Sequence, residues 1–151
     1  MSGRKNWEKI AMLVVLAVAL RAFLKLFGLP SIEPIIPIAV YAGLVIGSDA
    51  GIAVGALGYF LSNFFVPGGQ GFWTFWQAIG GAISGGLAGT FGKKVSAESM
   101  ILYSVIGTIV FEILLNLSFG ELLSWPFSFI HIGSNIVFAY LIWLLAHGAG
   151  N

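Results

Sequence analysis

The stretch SMILYSVIGTIVFEILLNLS, residues 99–118, carries a single charged side chain, Glu112, among residues that are otherwise mostly apolar. About 20 such residues are what an α-helix needs to cross the roughly 30 Å hydrocarbon core of a bilayer. A carboxylate inside a segment of this kind faces protein or a cavity, because its charge costs several kcal/mol against lipid. The rest of the chain has the same character. Of its 151 residues 58% are hydrophobic and 9% charged, with a mean hydropathy of +0.98, whereas soluble domains carry about 25% charged residues. The expected class is all-α, a polytopic integral membrane protein forming one domain over residues 1–151.

Working outward from 99–118, glycines, prolines and charges delimit further apolar segments near 10–28, 34–47, 51–66, 73–91 and 127–147, which makes six spans in all. The second is short and interrupted by Pro34 and Pro37, as an irregular or re-entrant stretch would be. The opening segment resembles a signal peptide, with basic residues before an apolar run. The chain beyond residue 28 is equally apolar, so the opening segment is read as the first retained span. Arg4, Lys5 and Lys9 precede that span and Lys93 and Lys94 lie between the fourth and fifth, so five of the seven basic residues fall on one side. The positive-inside rule makes that side, and both termini, cytoplasmic. The expected location is the plasma membrane of a prokaryote, crossed several times.

With direction fixed, the polar residues gather in the outer halves. Glu112 and Asn116 are four apart and share a helical face, as do Ser128, His131 and Asn135 in the last span. Thr74 and Gln77 sit one turn apart in the fourth span, Ser62 and Asn63 close the third, and Arg21 and Lys25 fall in the outer half of the first. Intramembrane ionisable groups mark functional sites by default, which singles out Glu112, Arg21 and His131. The competing bland reading is a structural tie, with Glu112 paired to Arg21 or His131. Trp73, Trp76 and their aromatic neighbours at the outer ends fit an interfacial belt, or the wall of an apolar pocket with a few oriented polar groups. Gly43, Gly47, Gly51 and Gly55, and again Gly81, Gly85 and Gly89, recur every four residues, so that helix backbones can approach closely or dock a partner.

Several functions are excluded by missing motifs. Gly89-Thr90-Phe91-Gly92-Lys93-Lys94 lacks the first glycine and the Ser/Thr of a phosphate-binding loop. No H-E-x-x-H occurs, cysteine is absent, and the near balance of charge, net +1, gives no nucleic-acid surface. No catalytic residue, metal or cofactor is expected, and enzymatic activity is not.

The glycine-rich second hairpin followed by Leu61-Ser62-Asn63, then Gly69-Gln70-Gly71-Phe72-Trp73-Thr74-Phe75-Trp76-Gln77 and the small-residue helix from Ala78 to Gly89, resembles the substrate-binding S components of energy-coupling factor (ECF) transporters. The likeness spans most of the chain and is sharpest over 55–92. It implies a membrane subunit that captures a vitamin or related micronutrient from outside. Such a subunit then associates with a transmembrane coupling protein and two cytoplasmic ATPases. On this reading the substrate contacts are Asn63, Gln70, Trp73, Thr74, Trp76, Gln77, Glu112, Asn116, His131 and Asn135. The chain departs from the family in two places. Ala11, Ala17, Ala19 and Ala22 lack the strict four-residue spacing of the family's docking motif, and Asn63 stands where relatives often have Asp. Two other classes compete: a structural protein of the rod-shape-determining MreD-like group, which needs no ligand, and a stand-alone secondary carrier using Glu112 as a proton-coupled carboxylate.

Overall fold

In the computed structural model the described residues are 2–148, with side chains from residue 6 onward. The side chains of Arg4 and Lys5, on which the orientation argument partly rests, lie outside that range. The described chain forms six α-helices and no strand: α1 (Ser2–Leu26), α2 (Ile35–Val45), α3 (Ser48–Ser62), α4 (Phe72–Phe91), α5 (Ala97–Leu117) and α6 (Phe127–His147). Each expected apolar segment overlaps one helix. α5 and α6 are long and apolar enough to cross a membrane. α1 is as long, but carries Glu8, Lys9, Arg21 and Lys25, and α4 is diluted by glycine.

The second and third expected spans need correction. α2 has 11 residues and α3 has 15, about 16 Å and 22 Å at 1.5 Å per residue, each short of a full hydrocarbon core. They break at Ile46-Gly47, where Gly47 takes φ 133°, a conformation open to glycine and strained for L side chains. Pro34 caps α2 and Pro37 falls in its first turn, where backbone N–H groups have no intrahelical partner to lose. The prolines therefore start a regular helix instead of distorting it.

α2 is the hub. Eight of its residues are buried, from Ile35 to Gly43, and it packs on all five other helices. A helix that is apolar all round is a helix surrounded on every side. Around it α1, α3, α4, α5 and α6 follow one another in contact, and the ring stays open between α1 and α6. Leu13 and Leu16 of α1, Ile38 and Tyr41 of α2 and Ile142 of α6 line the apolar cleft left there.

The glycine stripes meet each other. A Cβ added at Gly55 or Gly81 would run into the carbonyl of the other, Gly51 and Gly85 stand in the same relation, and Gly89 abuts Gly47 and Ser48. Each step of four along α3 is matched by a step of four back along α4, so the two helices are antiparallel with backbone on backbone. The stripes are used up in internal packing, and the docking surface considered for them is not available there. The outer surface instead presents large apolar side chains, among them Met12, Val15 and Phe23 of α1 and Val137, Leu141 and Leu145 of α6.

Candidate functional site

The end of the bundle formed by the loops 27–34, 63–71 and 118–126 gathers buried polar side chains from every helix except α2. Arg21 comes from the last turns of α1, Ser62 from the end of α3, Asn63 from just beyond it, and Thr74 and Gln77 from the first turns of α4. Glu112 and Asn116 lie near the end of α5, and Ser128, His131 and Asn135 near the start of α6. All of these side chains are buried. Glu33 joins them from the loop that leads into α2 and is equally buried.

Their bonds form a relay. The Arg21 guanidinium donates through Nε to Glu33 and through one terminal nitrogen to Ser62 Oγ at 2.7 Å and Asn63 Oδ1 at 2.6 Å. Asn63 in turn donates from Nδ2 to Thr74 Oγ1 and Gln77 Oε1, both at 2.8 Å. Asp at this position would accept from Arg21 but has no N–H to give to α4, so the amide suits a relay that passes from a cation to two acceptors. Arg21 also lies over the Tyr59 ring, 5.2 Å from its centre, and Tyr59 stacks on Phe111 at 4.7 Å.

On the far side, His131 Nδ1 lies 2.6 Å from Glu112 Oε1. Glu112 Oε2 accepts from Ser128 Oγ at 2.5 Å and from Asn116 Nδ2 at 3.0 Å. Deeper in the bundle Asn135 Nδ2 donates to Thr108 Oγ1 at 2.8 Å. Glu33 stands between the two halves: its Oε2 serves Arg21 and lies 3.9 Å from Lys25 Nζ, while its Oε1 lies 3.9 Å from His131 Nε2. Burial opposes charge on Glu33, but the adjacent Arg21, aided by Lys25, overrides it and holds the carboxyl at about 2, down from 4.5. Among the described residues four buried side-chain polar atoms have no partner, namely Tyr59 OH, Ser104 Oγ, His131 Nε2 and Asn135 Oδ1.

Of the ten expected contacts the structure brings seven to this end of the bundle: Asn63, Thr74, Gln77, Glu112, Asn116, His131 and Asn135. Gln70 is turned away, its Nε2 donating to Phe60 O at 2.8 Å. Trp73 donates to Gly69 O at 3.2 Å and Trp76 packs edge-on against Phe75, so neither tryptophan bonds into the network. Glu112 chooses His131 over Arg21. The residue missed in the sequence is Glu33, the true partner of Arg21. A hint lay in the charges themselves, since two cations in the apolar C-terminal half of α1 call for a carboxylate at the same end, but it did not say which one.

A family model matches residues 2–128, a stretch that includes Arg21, Glu33, Asn63, Gln77 and Glu112. The chain belongs to DUF6580, a family of unknown function. Neither the curated proteins nor the solved structures compared with it gave a match. The family match for this DUF6580 protein ends within the first turn of α6, so His131 and Asn135 lie beyond it. Among the described residues no group of His, Asp and Glu is arranged to hold a metal ion. Ion pairing and hydrogen bonding are the chemistry the site offers.

Proposed function

We propose that this protein is the substrate-binding S component of an ECF-type importer. It lies in the plasma membrane of a prokaryote, with all six helices in the bilayer and both termini cytoplasmic. It captures a vitamin or related micronutrient at its polar end and delivers it to a transmembrane coupling protein driven by two ATPases. The observation that carries the reading is the set of unpartnered atoms in the buried network. A purely structural tie satisfies its own donors and acceptors, because an orphaned buried polar atom costs about 1–3 kcal/mol. Here His131 Nε2 and Asn135 Oδ1, one turn apart on α6, are left for a guest. The apolar side chains exposed around the bundle support the bilayer setting, and no catalytic step is assigned to the chain.

The decisive experiment is mass spectrometry of small molecules retained by the purified chain, with uptake assays of whatever is found. Uptake is expected only when a coupling protein and ATPases are co-expressed. Uptake by the chain alone in proteoliposomes would overturn the S-component reading in favour of a secondary carrier. In intact cells a cysteine placed at Gly69 should react with an impermeant maleimide and one at Gly3 should not; the reverse pattern overturns the orientation. A second reading, a ligand-free scaffold, is favoured by one observation: Arg21, Asn63 and Glu112 commit their bonds to one another's neighbours and are under a tenth exposed. A chain that retains no small molecule under any condition would favour it.

A further inference from the structure

The two unpartnered atoms of α6, His131 Nε2 and Asn135 Oδ1, have a chemical bias. Ionised Glu112 only accepts, so the 2.6 Å contact requires His131 to donate through Nδ1. In the neutral ring Nε2 is then a bare lone pair. It faces Glu33 Oε1, a second acceptor, across 3.9 Å, inside a site where His131 is 1% and Glu33 5% exposed. One turn along the same face of α6, Asn135 has committed its N–H₂ to Thr108 and presents an unused Oδ1. Arg21, the one fully buried cation here, already serves Glu33, Ser62 and Asn63.

At His131 Nε2, Glu33 Oε1 and Asn135 Oδ1 the unused capacity is therefore acceptor, and a group that brings donors suits this point. Two acceptors 3.9 Å apart can share one nitrogen at ordinary hydrogen-bond length from each. A proton placed on Nε2 would instead draw the carboxylate to about 2.8 Å and leave Asn135 unserved. Lys25, the other cation near Glu33, has a side chain 20% exposed and can yield the carboxylate by turning to solvent.

We propose that the gap between Glu33 Oε1 and His131 Nε2 is the recognition point for a protonated primary amine on the captured molecule. This deepens the proposed function, yet it rests on the donor and acceptor count and can be tested without knowing the ligand. His131 and His147 are the two histidines, and His147 lies exposed at the opposite end of the bundle, so a His147→Gln background leaves His131 as a single ring reporter for NMR. Methylammonium chloride is titrated at fixed pH and ionic strength, beside tetramethylammonium chloride, which has the charge without N–H donors, and sodium chloride. The expected result is a saturable shift of the His131 ring resonances with methylammonium alone, weakened at least tenfold by Glu33→Gln. No saturable shift, or an equal one with tetramethylammonium, overturns the proposal, as would a ring that answers only to pH. Should Glu33→Gln fail to fold, the contrast between the two ammonium salts on the native sequence at Glu33 decides by itself. A methylammonium response in a chain that supports no uptake leaves this inference standing and the importer reading fallen. Uptake of a ligand without an amine, together with no methylammonium response, does the opposite.

Discussion

The seam between α3 and α4 and the polar end are joined through the same two helices and are built on opposite principles. Along the seam Gly51, Gly55, Gly81 and Gly85 remove side chains until backbone rests on backbone. Close packing of this kind is what holds helices together where lipid provides no hydrophobic drive between them. At the polar end long ionisable side chains are inserted into the same bundle and must be matched atom by atom. The seam gains from having nothing to arrange, and the polar end bears a standing cost that only paired charges offset. The difference separates scaffold from site: a seam tolerates no addition, whereas a charge network tolerates paired removal but not single removal.

The largest effect is expected at the seam. Leu in place of Gly51 or Gly55 must push its Cβ into a carbonyl of α4, which cannot move without displacing the whole helix. The cost should exceed the usual overpacking range of about 1–3 kcal/mol, and also the loss expected at Arg21, because a whole helix and not one side chain must yield. Size-exclusion profiles and thermal melts in detergent should show loss of the folded monomer for either variant. A wild-type melt for Gly55→Leu would mean that α3 and α4 are not held in this register.

At the polar end Arg21→Leu should cost about 3–5 kcal/mol, because Glu33 would remain buried without its cation. Adding Glu33→Leu should recover most of the loss, since an apolar pair of similar volume is often as stable as the ion pair it replaces. Equal melts for the single and double variants would show that Arg21 acts through Ser62 and Asn63 rather than through Glu33. No second substitution should rescue a seam variant, and that asymmetry is the contrast between the two regions in its sharpest form.

The same pair sets a pH dependence of intermediate size. Glu33 titrates near 2 in the fold against an ordinary 4.5, so the stability its charge contributes is complete above about pH 4.5 and drains away as pH falls toward 2. Melting temperature should drop between pH 5 and pH 3 in the native chain. The drop should be smaller in the Arg21→Leu/Glu33→Leu double variant; an equal drop in both would assign the acid sensitivity to another carboxylate.

The two regions were also unequally legible in the sequence. The seam could be read from spacing alone, because glycines every four residues occupy one face of a helix whatever they touch. The faces of Glu112 with Asn116, and of Ser128, His131 and Asn135, were legible for the same reason. The short length of α2 was not, since an apolar run hydrophobic on all sides fits a lipid-exposed span and a buried hub equally well. Glu33 was hidden because a carboxylate beside a proline in a loop ordinarily belongs to solvent, and only the fold returns that loop over the bundle. Trp73 and Trp76 stay ambiguous in the sequence because a tryptophan at an interface and one in a binding wall have the same neighbours there.

The smallest effect is expected at Ser84, where the two regions' logic meets. Its hydroxyl bonds to Gly80 O in its own helix at 2.7 Å and to Gly107 O of α5 at 3.0 Å, while its Cβ fills the space that Gly107 leaves open. Ser84→Ala keeps the Cβ and removes only the hydroxyl. Both carbonyls lie within helices, where the backbone ladder also engages them, so neither is stranded. The expected loss is therefore about 0.6 kcal/mol, the average for a hydrogen bond between membrane helices, and a shift in melting temperature near the limit of detection. Ser84→Leu, by contrast, should behave like a seam variant, because Gly107 admits nothing larger than the serine. A loss for Ser84→Ala as large as that for Arg21→Leu would contradict the division between seam and polar end, since it would place a polar group that matters outside the polar end.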